Sequence, residues 1–192
     1  ATRPSDDPVP ITLVSICDGI GVAREALEGL PVEVDYRSSE VDPACCDLLD
    51  HRHKDVRHLG DAYAITYEKL NKVVKKGATV LAVGGTPCNQ TAAANKQNRV
   101  GLRGKVSGVF FTFVRCLHML ADICKRKGAL FFFLWENAEM PDACVAIAQA
   151  LLGRAIHIVD SAYFTWMRIK RTWCTSIPLP RNVLDQFVRV RG

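Results

Sequence analysis

The chain has 192 residues, of which 48% are hydrophobic, and a formal net charge of +5 at pH 7. This length and composition predict one globular domain with a full core, which we place at residues 11–192 after an N-terminal tail of residues 1–10. The longest apolar runs, such as residues 129–135, are too short to cross a bilayer, and the N-terminus has no signal-peptide core. We therefore expect an intracellular protein with no membrane partner.

The eight cysteines and five histidines argue against a secreted scaffold and a zinc domain. The cysteines lie in apolar or helical segments without the loop-rich framework of a small secreted domain, which predicts reduced thiols. The sequence has no CxxC pair, and His51, His53 and His58 have no companion cysteines at zinc spacing. We interpret these histidines as part of a solvated helix end and expect no bound metal.

Strand-type runs alternate with helix-type segments in chain order. The hydrophobic pattern predicts strands at 11–16, 32–40, 78–83, 129–135, 155–160 and 172–177. The intervening segments predict helices at 22–30, 43–52, 63–76, 107–127 and 141–152. Such an alternation builds βαβ units. The predicted fold class is therefore α/β, with a doubly wound, mainly parallel sheet.

Acidic residues follow three strand-type runs, where ligands of such sheets bind. Asp18, Glu40 and Asp61 are predicted at consecutive strand ends, and Gly19 and Gly21 would let the backbone approach a ligand closely. An acidic side chain about 20 residues after the glycine turn commonly receives ribose hydroxyls. Three carboxylates would repel a polyphosphate, so the pattern favours an adenosine-type ligand without one.

A cysteine and a glutamate follow the next two predicted strands. Cys88 lies in the segment GGTPCNQ, and Glu136 directly follows the run that ends at Trp135. A thiol next to a carboxylic acid forms a nucleophile and proton-donor pair, suited to thiolate addition to an electron-poor ring. Considered alone, Cys88 could be a half-buried turn thiol and Glu136 a loop carboxylate. Because both are predicted at the ends of neighbouring strands, we favour their interpretation as a reactive pair.

Basic residues form two short clusters in predicted loops. The sequence pI of about 8.8 favours a polyanionic partner, although each cluster alone is typical of ordinary surface charge. The clusters comprise Lys96, Arg99, Arg103 and Lys105 after the cysteine segment, and Arg168, Lys170 and Arg171 near the C-terminal end.

Four of these segments resemble the motifs of the C5-cytosine DNA methyltransferase family. SICDGIGVAREAL, GGTPCNQ, FLWENAEM and RIKRTW occur in the order and approximate spacing of that family's motifs, from about Ile11 to Arg181. The Pro-Cys-Asn form is most similar to that of the eukaryotic de novo DNA methyltransferases. The resemblance implies a Rossmann-like class I methyltransferase catalytic domain that uses S-adenosylmethionine and releases S-adenosylhomocysteine.

The resemblance also implies a role for each matching residue. Cys88 would attack C6 of a cytosine flipped out of double-stranded DNA, Glu136 would stabilise protonation at N3, and Arg168 would support both base and acid. In the cofactor pocket, Asp18 and Gly19 would hold the methionine part, Glu40 the ribose and Asp61 the adenine amine. The implied pocket also includes Ile20, Gly21, Val41, Ala62 and Pro87. The implied DNA contacts are Asn89, Lys96, Arg99, Arg103, Lys170 and Arg171.

The sequence departs from the family pattern in several places. Cys17 replaces an aromatic residue, Ala138 replaces a valine, and Lys170 replaces an arginine whose planar fork lysine lacks. We find no evident target-recognition region or final motif, so we expect a second polypeptide or a further C-terminal segment to supply target recognition.

Three alternatives stay open, namely a weak or inactive methyltransferase-like subunit, a tRNA cytosine-5 methyltransferase, and, last, a dinucleotide-binding oxidoreductase. In a eukaryotic cell we expect a nuclear location.

Overall fold

The computed structural model describes residues 7–92 and 100–180, and only the backbone of Val188–Val190. Two predicted DNA contacts, Lys96 and Arg99, lie outside the described residues. The chain forms two compact units: one contains the residues up to Val83 with His118–Phe131, and the other contains Gly84–Leu117 with the residues from Phe132 onward. None of the described helices is long and apolar enough to cross a membrane.

The first unit is built on parallel strands, as the sequence predicts. The strands are β1 (Val9–Ile16), β2 (Val32–Ser39), β3 (Arg57–His58) and β4 (Thr79–Gly85), and the helices are α1 (Val22–Glu25), α2 (Pro43–Arg52) and α3 (Tyr67–Val73). Strand β2 pairs with β1 in register from Val9 opposite Val32 to Ile16 opposite Ser39, and β3 pairs with β2. The order of the strands is β3-β2-β1-β4, and the last two residues of β4 belong to the second unit.

Capping and local turns explain which predicted helix boundaries of the first unit agree with the structure and which do not. Helix α2 matches the predicted 43–52, because Asp42 caps the amides of Ala44 and Cys45 and a proline follows at the first helical position. Helix α1 is much shorter than the predicted 22–30, since the chain after Glu25 continues in tight i to i+3 turns. The predicted helix 63–76 divides into a 3₁₀ turn, Ala62–Ala64, and α3.

The core of the first unit lies against the parallel strands. Leu13, Tyr36 and Leu49 have no exposed surface, and partly buried residues of both strands and helices pack on them. Burial of such apolar surface contributes roughly 25 cal/mol per Å². The same packing fixes the carboxyl ends of β1 and β2, where the predicted cofactor residues lie.

The second unit contributes antiparallel pairings to the predicted, mainly parallel sheet. Its strands are β5 (Leu130–Ala138), whose first two residues belong to the first unit, β6 (Ile156–Asp160), β7 (Lys170–Thr175) and β8 (Val188–Val190). They follow the order β5-β7-β6-β8, and their pairings are antiparallel. The loop 161–169 between β6 and β7 is too short for a parallel crossover. The helices are α5 (Asp142–Leu152) and the first part of α4 (Val109–Lys127), whose residues from His118 onward belong to the first unit, and 3₁₀ turns lie at Gly101–Arg103 and Ser161–Tyr163.

Two predicted boundaries also change. Strand β5 continues through Glu136, Asn137 and Ala138, so Glu136 lies within the strand rather than beyond it. Strand β1 begins at Val9, inside the predicted N-terminal tail. In both cases strand pairing extends the element past the apolar run that the sequence shows.

Aromatic packing forms the core of the second unit. The Phe110 and Trp135 rings lie 5.0 Å apart, and both side chains are fully buried. Gly84, near the end of β4, lies against Phe113: a Cβ atom added at Gly84 would be 2.5 Å from Phe113 Cε2. The glycine is therefore required by a close approach to a buried ring.

We predict that Gly84→Ala destabilises the protein by about 1–3 kcal/mol, because the added methyl group forces Phe113 out of its packed position. Denaturant unfolding followed by circular dichroism measures the change. Phe113→Leu in the Gly84→Ala background removes the clashing ring atoms, so the double variant should lose less stability than the sum of the single variants. Wild-type stability of Gly84→Ala would contradict this packing.

Candidate functional site

The loop after β1 bends tightly enough to require unusual backbone conformations. Gly19 and Gly21 have φ values of 60° and 82°, and Cys17 has φ 54°, which is uncommon for a residue with a side chain. A Cβ atom at Gly21 would also lie 2.8 Å from Leu49 Cδ2 and 3.0 Å from His53 Nε2. The glycine pattern predicts a backbone that approaches a ligand closely. At Gly21 the backbone closely approaches two side chains of the protein, those of Leu49 and His53.

Two side chains hold the carboxylate of Asp18. Ser15 Oγ donates to Oδ1 at 2.5 Å, and the Tyr36 hydroxyl donates to Oδ2. Burial, and then the hydrogen bond to Asp18, raise the pKa of Tyr36, so the phenol stays a donor. Sequence reasoning missed Ser15 and Tyr36; the available signal was a serine near the end of the apolar run of β1 and an aromatic hydroxyl within β2.

The Glu40 carboxylate joins the end of β2 to this loop. Its Oε2 accepts the Gly19 amide at 2.8 Å, and its Oε1 accepts the amides of Val41 at 2.7 Å and Asp42 at 3.0 Å. The predicted proximity of Gly19 and Glu40 is therefore seen in the structure. A carboxylate has about four acceptor positions, so Oε2 can still accept a ligand hydroxyl.

Asp61 lies beyond β3 and is exposed. Its Oδ1 accepts the Tyr63 amide at 2.9 Å, which caps the 3₁₀ turn, and Ser39 Oγ donates to the Gly60 carbonyl at 2.7 Å. The ends of β2 and β3 are thereby fastened together. The predicted Asp61 neighbour Ala62 is buried, with 5% exposure.

The chemistry of the donor groups in the first unit fits the predicted cofactor, S-adenosylmethionine. Carboxylates at the ends of successive strands suit ribose hydroxyls and amino groups, and the backbone at Gly19 leaves open space where a Cβ would stand. Ile20 and Val41, which follow Gly19 and Glu40 in sequence, are 45% and 65% exposed. Such exposed apolar side chains suit an adenine ring. Pro87, the remaining predicted cofactor contact, belongs to the second unit and is half-buried.

His53 is not part of a solvated helix end, because only 4% of it is exposed. Its Nε2 lies 3.5 Å from a Glu25 carboxylate oxygen that Arg52 contacts at 2.6 Å. Glu25, Glu28 and His53 each place one potential ligand atom within 4.8 Å of the others. Arg24 also lies 3.8 Å from Glu28. We assign these groups to ion pairing around a buried histidine, because two guanidinium groups already neutralise the carboxylates.

In the second unit, buried polar side chains anchor the loop that carries Cys88. The Asn137 amide donates to the Thr86 carbonyl at 2.7 Å, and Trp135 Nε1 donates to Thr86 Oγ1 at 3.0 Å. Thr91 Oγ1 lies 2.9 Å from Asn137 Oδ1 and 3.1 Å from the Cys88 carbonyl, and it can donate its one proton to either. Cys88 itself is half-buried.

Gln90 fastens a second segment to the same loop. Its Oε1 accepts the amides of Val106 at 2.9 Å and Ser107 at 3.2 Å, and its carbonyl accepts the Gly101 amide at 2.8 Å. Sequence reasoning missed this role, since it depends on contacts more than ten residues away. Gln90 thereby holds the segment that carries the exposed Arg103.

The predicted DNA contacts that the structure describes all lie in the second unit. Most are open to solvent: Asn89, Arg103 and Lys170 are exposed and Arg171 is half-buried.

The environment of Glu136 favours its protonated form. Burial raises its pKa above the ordinary value of 4.5, while the Arg171 guanidinium, 3.4 Å from the carboxylate, opposes that rise. Arg171 is thus the guanidinium paired with this acid, whereas Arg168 precedes β7 and lies 3.5 Å from Asp160; the role of Arg168 toward the base stays a prediction. Arg171 reaches Glu136 because it lies opposite Ala138, two residues along the paired strand.

We predict that Arg171→Gln raises the pKa of Glu136 further, because it removes the charge that favours the ionised acid while burial remains. A ¹³C NMR titration of carboxyl-labelled glutamate, assigned with Glu136→Gln, measures the shift. Arg168→Gln is the matched control and should leave the Glu136 titration unchanged. An unchanged midpoint in Arg171→Gln would show that this ion pair does not act on the acid.

Sequence comparison finds relatives among plant methyltransferases. DRM1 of Arabidopsis thaliana, named a DNA (cytosine-5)-methyltransferase, is 32% identical over 134 residues, which cover 63% of this chain and 20% of that protein. DRM1A of Oryza sativa subsp. japonica, with the same designation, is 35% identical over 78 residues, 38% of this chain and 16% of the relative. The chain thus spans about a fifth or less of these curated relatives. No family model matches the sequence.

Structural comparison finds the same fold in a more distant group. A DNMT2 variant of Spodoptera frugiperda superimposes with a TM-score of 0.61 and 16% identity, over 88% of this chain and 51% of its own. The S. pombe Dnmt2 methyltransferase gives a TM-score of 0.58 and 14% identity, over 86% and 49%. These neighbours confirm the predicted α/β, Rossmann-like class I methyltransferase fold. Together, the sequence relatives and the shared fold confirm the resemblance to the C5-cytosine DNA methyltransferase family that the four motifs predict.

Proposed function

We propose that the chain is the catalytic part of an S-adenosylmethionine-dependent DNA (cytosine-5)-methyltransferase. The observation that carries the proposal is the Cys88 loop, whose backbone is anchored by the buried side chains of Thr91 and Asn137 while the thiol stays only half-buried. A structural core cysteine needs no such support. A nucleophile does, because its position relative to the substrate decides its rate.

The proposed chemistry begins with addition of the Cys88 thiolate to C6 of a flipped-out cytosine. The C5–C6 π electrons move to C5 and make it nucleophilic, and Glu136 stabilises the developing charge by holding a proton at N3. S-adenosylmethionine, when bound, supplies the electrophilic methyl group. Transfer of the C5 proton to solvent then restores the double bond and expels the Cys88 thiolate, and the proton at N3 returns to Glu136. The raised pKa of Glu136 supports its role as the group that holds a proton.

The first unit would hold the cofactor through the contacts described above. Glu40 would accept hydrogen bonds from the ribose hydroxyls, and Asp61 would accept one from the adenine amine. The Asp18–Gly19 turn would contact the methionine part. The hydrogen bonds from Ser15 and Tyr36 would keep the Asp18 carboxylate in one orientation before the ligand arrives. Such preorganisation lowers the cost of binding.

Duplex DNA is the substrate we favour. The sequence relatives are named DNA (cytosine-5)-methyltransferases, and the chain has net positive charge. A tRNA substrate is the second candidate, since the motif resemblance alone does not separate the two nucleic acids. We also propose that a further segment or a second polypeptide contributes target recognition, and that the protein acts in the nucleus of a eukaryotic cell.

We predict that duplex DNA containing 5-fluorocytosine forms a covalent adduct with the chain in the presence of S-adenosylmethionine, because fluorine blocks the final loss of the C5 substituent. Mass spectrometry of the denatured complex detects the adduct. Cys88→Ala should abolish it, whereas Cys45→Ala, which removes another half-buried thiol, should not.

A fluorinated tRNA tested in parallel separates the two substrates. Adduct with tRNA alone would transfer the proposal to RNA. Absence of adduct with both nucleic acids, or an adduct that persists in Cys88→Ala, would contradict the proposed chemistry.

We predict that Glu40→Gln weakens S-adenosylmethionine binding by about 1.5–3 kcal/mol, roughly ten- to a hundredfold in Kd, because hydrogen bonds to the charged carboxylate are lost. Isothermal titration calorimetry measures the affinity. Glu33→Gln changes an exposed carboxylate near the start of β2, at the other end of the strand that Glu40 follows, and should bind as the wild type does. Equal affinity of both variants would remove Glu40 from the proposed pocket.

A further inference from the structure

The loop between β6 and β7 places an indole in solvent. Trp166 is 96% exposed, and the neighbouring Phe164 and Met167 are 63% and 50% exposed. Exposure of this extent is unusual for a tryptophan, which is highly buried on average. Contiguous exposed apolar side chains commonly mark an interaction site.

Hydrogen bonds within the loop fix its shape. Ser161 Oγ donates to the Met167 carbonyl at 2.6 Å and accepts the Ile169 amide at 2.9 Å. The Ser161 amide donates to the Ile169 carbonyl at 3.0 Å, and the Thr165 amide donates to the Ser161 carbonyl at 2.8 Å. One serine thus ties both ends of the loop together. Trp166 lies on a turn that these hydrogen bonds already order, so little conformational entropy is lost when the loop binds a partner.

The loop projects from the end of the second unit that carries the proposed acid. Asp160 pairs with Lys170 at the base of the hairpin, and β7 continues with Arg171 opposite Ala138 of β5. Glu136 is two residues from that pair and lies 3.4 Å from Arg171. The Trp166 loop, residues 161–169, and the proposed catalytic acid therefore lie toward the same end of the antiparallel strands.

The charge beside the indole is positive. The Arg168 side chain is 82% exposed, whereas that of its partner Asp160 is 16% exposed, and Lys170 is exposed as well. Exposed aromatic and basic side chains in one short loop suit a nucleic acid, where bases stack on rings and phosphates meet cations. A protein interface needs about 20–30 residues a side and is depleted of lysine, so this small basic loop fits it less well.

We propose that the Trp166 loop is a DNA contact in which the indole stacks on a base next to the flipped cytosine. The inference rests on the proposed function, since base flipping leaves neighbouring bases unstacked and an inserted apolar side chain can replace the lost stacking. Arg168 and Lys170 contact the adjoining phosphates. Trp166 is a positioning residue in this scheme and takes no part in bond formation.

The chain carries its own probe for this contact. Of its three tryptophans, Trp135 is fully buried and Trp173 is half-buried, so Trp166 dominates the emission that acrylamide quenches. Adding a mixed-sequence duplex should protect this emission from acrylamide and quench it by stacking. Fluorescence anisotropy with a labelled duplex gives the affinity in the same samples.

We expect Trp166→Ala to weaken duplex binding about tenfold or more, the usual effect of removing one stacked base contact, and Trp166→Phe, which keeps a ring, to bind within about threefold of the wild type. Leu130→Ala, which truncates a side chain that is 61% exposed at the start of β5, is the control and should bind as the wild type does. Melting temperature and S-adenosylmethionine affinity should be unchanged in all three variants.

The outcomes separate the inference from the proposed function. If the wild type forms the 5-fluorocytosine adduct and Trp166→Ala binds DNA and forms the adduct equally well, the stacking role is wrong and the proposed function stands. If no adduct forms but DNA binding depends on Trp166, the DNA contact stands and the proposed chemistry fails. Concentration-dependent self-association that requires Trp166, without protection by DNA, would assign the loop to a protein contact and overturn the inference.

Discussion

The buried amide of Asn137 is the constraint on which the proposed catalytic loop depends. It is 1% exposed, and its nitrogen donates to both the carbonyl and the hydroxyl oxygen of Thr86, at 2.7 and 3.1 Å. Its oxygen lies 2.9 Å from Thr91 Oγ1, which is in turn 3.1 Å from the Cys88 carbonyl. A buried polar network is stable only when its members are satisfied, because each lost partner costs about 1–3 kcal/mol. The position of Cys88 is therefore coupled to the interior of the second unit rather than left to the loop alone.

The first unit uses a carboxylate in a comparable way. Glu40 satisfies three backbone amides, two of its own turn and one from Gly19, 21 residues away in the chain. The φ value of 54° at Cys17 is conformationally costly for a residue with a side chain, and the hydrogen bond that the Gly19 amide of the same loop donates to Glu40 offsets part of that cost. The groups that would meet a cofactor are thus also the groups that hold the loop. A substitution at Glu40 changes the shape of the site as well as its charge, which is why the isosteric glutamine tests it better than alanine.

Sequence reasoning succeeded where local interactions decide the structure. The helix at 43–52 follows from its capping aspartate and first-position proline, and the resemblance to a methyltransferase fold follows from four short segments in order. It failed where distant contacts decide. The hairpin that makes β6 and β7 antiparallel depends on Ser161, whose hydroxyl bonds to backbone groups six and eight residues away. The hydrogen bond from Tyr36 to Asp18 and the pairing of Arg171 with Glu136 likewise arise only once strands lie side by side, so neither could be predicted from spacing.

The burial of Glu136 opposes stability and supports chemistry at the same time. Its pKa in the folded chain is raised, so its protonated form contributes stability that is fully present below the ordinary pKa of 4.5 and is lost as pH rises through the folded value. At higher pH the fold therefore holds a partly buried carboxylate that solvent would stabilise better. Arg171 limits this cost by favouring the charged form. Burial therefore favours the protonated acid that the proposed chemistry needs at N3 of the cytosine, and the Arg171 guanidinium opposes it. The same two groups thus set both the pH dependence of stability and the protonation of the proposed acid.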